Sequence, residues 1–541
     1  MLPALLISLL WYFVGQILPM FVSAFLVIFL VLFTGVLLQV RSSITSPDSS
    51  KTAVLSLLLL TVLFIVLRLA FVTKALLPLY FDSAQHYLFI KTILANLNHA
   101  GATVPLTSYY HLGFHFLAAF ITFMTRAQIN EIMLVLGQVI LAVMPFSAFF
   151  IIRHWTQSNT AGIFALFLAA FGWYMPAHAM DWGKYPALAS IAVIPFVLSN
   201  ASLSFQGREF LSPAKYWGLN IILLTGMILS VFLHSRTFVV FGILVFTWML
   251  VFVWQKLPRI AKLVVLGLAI LALIYEINFI QTDGALTLVF DPYGPKGYII
   301  TAAILFLSIF AYLRNPAVVV SCIVSIVLLI ASLFIPLGTL IPGYANTTLL
   351  DRPFVEMILY LPLTLLGGFG LASLEQILQD QKIARKNTFR KIVSAFFFTL
   401  VIINAWFQYD FYPADCCDIA SQDDLAAIQW ADRNLPRDAR ILISSTELNV
   451  LPTDEYQGSA GGDAGTWIHP LINRFTIYMP YNTDFSQQQT LDTICQLHAD
   501  YIYVGKTGSG FNEVGMSTLP QVYKAIFVLP NARIYEVAGC D

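Results

Sequence analysis

The stretch Pro78–Thr125, PLYFDSAQHYLFIKTILANLNHAGATVPLTSYYHLGFHFLAAFITFMT, decides how the rest of the chain is read. An apolar run over 54–77 leads into Asp82, two amphipathic segments rich in His and Tyr follow, and a long apolar run resumes at Ile132. Crossing a bilayer takes about 20 apolar residues. With His86, Lys91, Asn96, Asn98 and His99, the segment 84–100 is too polar to do so. It reads as an interfacial helix whose boundary is Tyr87, Leu88, Ile90, Ile93, Leu94 and Leu97. Residues 111–125 read as a juxtamembrane or re-entrant piece. A carboxylate just past a membrane helix, beside two segments lying along the membrane, points to chemistry at the lipid surface.

Composition agrees with that setting. Of 541 residues, 58% are hydrophobic and only 11% charged, against about 25% charged in soluble domains. The 29 basic and 29 acidic residues cancel, so there is no basic field to bind nucleic acid. The first apolar run lacks a basic flank and a small-residue cleavage site, and reads as an uncleaved signal. Apolar runs fall at 3–19, 20–40, 53–77, 131–152, 160–175, 186–200, 216–233, 237–254, 260–280, 298–313, 317–336, 353–373 and 392–409. The expected architecture is mainly α, a polytopic transmembrane helix bundle of about 13 spans. Residues 1–52 would form an N-terminal hairpin split near Gly15–Pro19, and 53–409 the main membrane domain with juxtamembrane helices at 84–125.

With the N-terminus placed in the cytoplasm, the loops rich in Lys and Arg fall inside, above all 375–391 with Lys382, Arg385, Lys386, Arg390 and Lys391. The alternation closes only if 84–125 does not cross. Residues 410–541 are then extracytoplasmic, and their turns and rising charge predict a small α/β domain. Its elements would be a helix over 423–434, strands over 439–444 and 501–505, a helix over 490–498 and a hairpin over 523–537. Cys416, Cys417, Cys495 and Cys540 could pair in three ways, with the adjacent pair disfavoured sterically. The absence of CxxC spacing argues against a zinc site among them, and Cys322 reads as buried packing.

The same placement gathers the ionisable groups on the external face: Asp82, His86, His111 and His115; His178, Asp181 and Lys184 in HAMDWGKYPAL; His234 and Arg236 in FLHSRT; Asp351, Arg352 and Glu356 in LLDRPFVEM. Such groups at a membrane are costly and call for a reason. One reaction uses them together. A hydroxyl acceptor needs a base, which Asp82 could be, and a departing phosphate needs cations, which Lys184, Arg236 and Arg352 could supply. Asp82, Asp181, His86 and His234 could hold a divalent cation (Mg, Mn or Zn), with His111, His115 and Glu356 further candidates for metal or substrate. Plainer readings compete: Asp82 as a helix cap, His111 and His115 as headgroup-facing residues, Asp181–Lys184 as a surface pair, and Arg352–Glu356 as an i, i+4 pair. Asn346-Thr347-Thr348 fits a glycosylation acceptor by accident of three residues.

FDSAQHYLFIKTIL followed by YYHLGFHFLAAFI resembles the first external loop of GT-C superfamily glycosyltransferases, which use polyprenyl-phosphate-linked sugars. WGKYPALAS, HSRT and DRPFVEMILYLPLTLLGGFG resemble a branch of multi-span proteins near that superfamily. DLAAIQWADRNLPRDARILISS, GGDAGTWIHPLINR and ADYIYVGK resemble its external C-terminal domain. The resemblance covers most of the chain from about residue 53 onward. It implies a GT-C-like fold and an inverting sugar transfer from a polyprenyl-phosphate donor to a glycan, lipid or protein hydroxyl, in contact with membrane lipids of the plasma (cytoplasmic) membrane. It places Asp82 at the catalytic acidic position, Asp181 at the acidic second external loop and Arg352 at the lipid phosphate. Two departures stand out: Asp82 lacks a paired acid, and His111 and Leu112 replace the usual prolines. Trp467 and His469, beside the 458–465 loop, are candidate acceptor contacts, the plainer reading being a structural turn. A lipid-linked-sugar flippase would predict charges near mid-membrane and an inverted repeat, neither of which is visible. A non-catalytic scaffold would not need Asp82.

Overall fold

The computed structural model describes residues 4–9, 12, 51–96, 111–207, 212–254, 256–282, 287–337, 348–380, 386–448, 458–506 and 509–540. The first expected span lies mostly outside these residues, and the second wholly, as do 97–110 and the Asn346-Thr347 pair.

From Lys51 on, the described residues of the apolar part form fifteen helices: α1 Lys51–Leu69, α2 Tyr80–Asn96, α3 Gly113–Thr125, α4 Ile129–Val143, α5 Phe146–Thr156, α6 Asn159–Phe171, α7 Tyr185–Gly207, α8 Pro213–Leu233, α9 Thr237–Trp254, α10 Arg259–Thr282, α11 Tyr298–Arg314, α12 Pro316–Ala331, α13 Arg352–Ile358, α14 Tyr360–Asp380 and α15 Lys386–Gln408. Their starts carry chemical signals. Ser158 caps α6 by accepting the Ala161 N–H at 3.1 Å. Glu131 accepts the Gln128 N–H at 3.2 Å ahead of α4. Pro213 and Pro316 stand first in α8 and α12, where a missing N–H costs nothing. Among the described residues, five helical stretches are long and apolar enough to cross a membrane: Ile129–Thr156, Lys215–Leu233, Arg259–Asn278, Arg352–Asp380 and Thr388–Gln408. The other runs expected as spans form shorter apolar helices, among them Leu57–Thr73 and Asn159–Phe171. The chain breaks its apolar stretches into shorter helices by turns at Phe71–Thr73 and 172–184.

The glycines of LLGGFG explain how α14 sits in the middle. A Cβ on Gly370 would meet the Leu307 backbone oxygen at 2.6 Å, so α14 and α11 approach backbone to backbone.

The tail forms a six-stranded mixed sheet with helices, as its turn pattern predicts. Its elements are α16 Gln422–Asn434, β1 Arg440–Glu447, β2 Ser459–Gly461, α17 Ile468–Ile472, β3 Phe475–Pro480, α18 Gln488–Gln496, β4 Tyr501–Val504, α19 Val514–Thr518, β5 Tyr523–Val528 and β6 Arg533–Val537. β1 runs parallel to β3 and β4, and β4, β6 and β5 continue antiparallel. Alternation along the strands divides the core. Ile441, Ile443, Tyr503 and Ile534 face α16, whereas Leu442, Ile502, Val504 and Tyr535 face α18 and α19. Leu77 and Ala84, from the other half of the chain, are buried in the first of these clusters. Cys495 pairs with Cys540 and Cys416 with Cys417. The adjacent pairing, expected to be disfavoured, is thus the one found, because the chain turns at 415–417.

Candidate functional site

Asp82 does not end a span. It lies in the first turn of α2, after α1 has stopped at Leu69 and the chain has turned through Phe71–Thr73. There the exposed N–H groups of the helix favour a negative charge. Tyr80, at φ 65°, starts α2 and donates its N–H to the Cys417 carbonyl at 3.0 Å. The α2 helix is wedged between α3 and α4 on one side and the tail on the other, with Ser83, Ala84, His86, Ile90 and Ile93 buried.

Opposite Asp82 stands Lys184, whose Nζ donates to Asp82 Oδ2. The reading of Asp181 and Lys184 as a surface pair fails, for the two point to different clusters. Gly183, at φ 65°, reverses the chain between them. A Cβ there would meet Ser83 Oγ and lie 3.0 Å from the Ser83 nitrogen, so only glycine lets this loop approach α2 so closely. Burial pulls the Lys184 ammonium down, but the carboxylates of Asp82 and Asp351 more than offset it, and its pKa is raised.

Arg236, in the three-residue connection between α8 and α9, pairs with Asp351 at 2.5 Å. These two ion pairs lie on one cavity of about 240 Å³, lined also by His86, His111, His234 and Phe354. The His111 and His234 rings lie with centroids 4.0 Å apart, tilted by 45°. His86 Nδ1 lies 3.0 Å from His115 Nε2, and both rings are buried. Burial, with Lys184 adding to it, pulls His86 down to about 3. Burial and then Arg236 pull His111 down to about 4, and His234 is lowered by the same burial. The imidazoles are therefore neutral beside two cations and two carboxylates.

Asp181 belongs to a second cluster. His178 Nδ1 lies 2.8 Å from Asp410 Oδ2 and 3.4 Å from Asp181 Oδ2. Asp181 Oδ1 accepts the Ala414 N–H at 2.8 Å, which fastens the start of the tail to the 172–184 loop. Burial lowers the His178 pKa, but the two carboxylates outweigh it and raise it to about 9. Among the described residues, His178, Asp181 and Asp410, and His178 with Cys416 and Cys417, are the groups whose ligand atoms converge closely enough for a metal ion. The sequence-derived metal set of Asp82, Asp181, His86 and His234 is thus divided between two places. Asp410 had no signal beyond ending an apolar run, and Asp351 was visible without a role.

Arg352 stays off the cavity wall and lies 3.3 Å from Glu356, as its i, i+4 spacing allows. Trp467 is fully buried, its ring 5.7 Å from that of Tyr87 on α2. His469 Nδ1 lies 3.0 Å from the Arg474 carbonyl oxygen. Lys91 of α2 donates to the Pro470 carbonyl at 2.6 Å and to Asn473 Oδ1 at 2.9 Å. Trp467 and His469 thus stand in the seam between the tail and α2.

The fold is shared with arabinofuranosyltransferase AftD from Mycobacteria, at TM-score 0.50 and 14% identity over 90% of this chain. The present chain spans 42% of that protein's length. The Archaeoglobus fulgidus oligosaccharyltransferase aligns at TM-score 0.48 and 11% identity, over 88% of this chain and 73% of the other. No curated protein matches the chain. Residues 4–336 match the group described as "Family of unknown function (DUF6541)", and the chain belongs to that family.

Proposed function

We propose that this protein is a membrane glycosyltransferase that moves a sugar from a polyprenyl-phosphate donor to the hydroxyl of a glycan, lipid or protein acceptor. The observation that carries the reading is the single cavity holding a carboxylate, Asp82, at a helix N-terminus together with two cations, Lys184 and Arg236. The fold shared with an arabinofuranosyltransferase is consistent with it.

In this reading the acceptor oxygen attacks the anomeric carbon from the side opposite the phosphate, inverting that centre. Its proton passes to Asp82. The bond from the anomeric carbon to the phosphate oxygen breaks, its electron pair stays on that oxygen, and Lys184 and Arg236 stabilise the polyprenyl phosphate that leaves. Neutral His86, His111 and His234 can donate or accept hydrogen bonds to sugar hydroxyls without adding charge. A divalent cation would find a His and two carboxylates at His178, Asp181 and Asp410, donors of a kind zinc accepts. It would supply charge neutralisation there. The membrane domain over 53–409 would carry the chemistry at the extracytoplasmic face of the plasma membrane. The domain over 410–541, docked on α2, would close the site.

The test is turnover of a panel of polyprenyl-phosphate sugars by membranes holding the wild type or Asp82→Asn. Loss of polyprenyl phosphate release by roughly 10²–10⁴-fold in the variant is expected of a general base. Equal release by both proteins would remove Asp82 from the mechanism.

A further inference from the structure

Asp351 uses both of its oxygens. Oδ1 accepts the Phe354 N–H at 3.1 Å and caps α13, while Oδ2 accepts from Arg236 Nη1. The residue is buried and lies on the cavity wall. The cap alone would need no charge, since Asn serves a helix N-terminus as well as Asp does. The charge therefore acts on Arg236. Counted over the cavity, Lys184 and Arg236 bring two positive charges, Asp82 and Asp351 two negative, and the lining imidazoles none.

We propose that Asp351 is a specificity-determining residue, which cancels Arg236 so that the cavity accepts a singly charged phosphodiester and rejects more highly charged diphosphates. This inference rests on the reading of the site as a donor pocket. A phosphodiester donor brings one negative charge into a neutral cavity. When Asp82 takes the acceptor proton and the phosphate leaves as a doubly charged monoester, the total is unchanged, because the cavity has gained one positive charge. Once Asp82 gives its proton to water, a neutral cavity holds a doubly charged product, and Asp351 favours its departure. A diphosphate-linked donor would start with the extra charge that the product acquires only at the end. Like charge placed against a specific site is a common way of rejecting the wrong ligand.

The probes are methyl farnesyl phosphate, a diester, and farnesyl diphosphate, titrated into the purified full chain in detergent. Wild type, Asp351→Asn and Asp351→Glu are compared, with thermal unfolding as the check on folding. The wild type is expected to favour the diester. Asp351→Asn should gain affinity for the diphosphate and shift the ratio by on the order of tenfold, while Asp351→Glu keeps the wild-type preference. A wild type that prefers the diphosphate, or a ratio unchanged in a folded Asp351→Asn, overturns the inference alone. A wild type that binds neither probe overturns the donor-pocket reading and this inference with it. Should Asp351→Asn not fold, the wild-type preference still decides.

Discussion

Lys184 reaches across from the end of the 172–184 loop to donate a hydrogen bond to Asp82 on the first turn of α2. The proposed base and its nearest cation are thus contributed by two separate stretches of chain, and each holds the other in the cavity. In the proposed mechanism the same Lys184 would also stabilise the leaving phosphate.

Replacing Lys184 with Met removes the charge and keeps the length of the side chain. Turnover of the polyprenyl-phosphate sugar should fall by about 10²–10³-fold, as when a stabilising donor is lost from a transition state. Lys184→Arg should retain a measurable part of it. Steady-state kinetics on the two variants check this; full activity in Lys184→Met would show that the ion pair is structural only.

Gly183→Ala places a side chain at positive φ against Ser83. Left-handed backbone costs a non-glycine residue about 1–2 kcal/mol, and contact with the Ser83 nitrogen leaves no flexible group to give way. A lower unfolding temperature is expected, with activity reduced because α2 must shift. An unfolding temperature within error of the wild type would contradict the close approach.

The pH dependence of stability has two sides. His178 has a raised pKa, so its contribution is complete below about 6.5. It is lost as pH rises through about 9. His86 and His111 have lowered values, so theirs is complete above about 6.5. It is lost as pH falls toward 3 to 4. Stability should peak near neutrality and decline on both flanks. His178→Asn should flatten the alkaline flank while leaving the acid one, a difference read from unfolding temperatures between pH 4 and 10. An alkaline flank identical in the two proteins would remove His178 from the account.

Cys495 and Cys540 join residues 45 apart. By loop-closure entropy such a bridge is worth about 4 kcal/mol. Cys540→Ser should therefore make the tail much more sensitive to proteolysis, with cleavage sites appearing near β5 and β6. Equal protease resistance with and without the bridge would show that the sheet holds without it.

Much of the site was legible because membrane sequences penalise charge, so that each ionisable residue at the edge of an apolar run stands out. Asp82, Lys184, Arg236, His86, His111 and His234 were all found in that way and all line one cavity. Their pairing was not legible. Asp82 meets Lys184 rather than Asp181 because Gly183 reverses the chain, and a turn of that kind leaves one glycine as its only trace. Asp410 sits at the end of α15 with nothing nearby in sequence to suggest His178 as its partner. In the tail, β1, β4, β5 and β6 showed themselves as apolar or alternating runs. β3 did not, because FTIYMP is largely exposed and follows the short α17 directly. β2 is three residues long, too short to carry a period.

The seam between α2 and the tail bears on how this protein could be taken apart. The helix that carries Asp82 shares one buried cluster with the tail through Ala84, and is gripped further along by Lys91 and Tyr87. Packing therefore crosses the boundary at residue 410. A chimaera that exchanges the tail for that of a relative must bring a matching outer surface on α2, or the exchange will misplace the helix that carries Asp82.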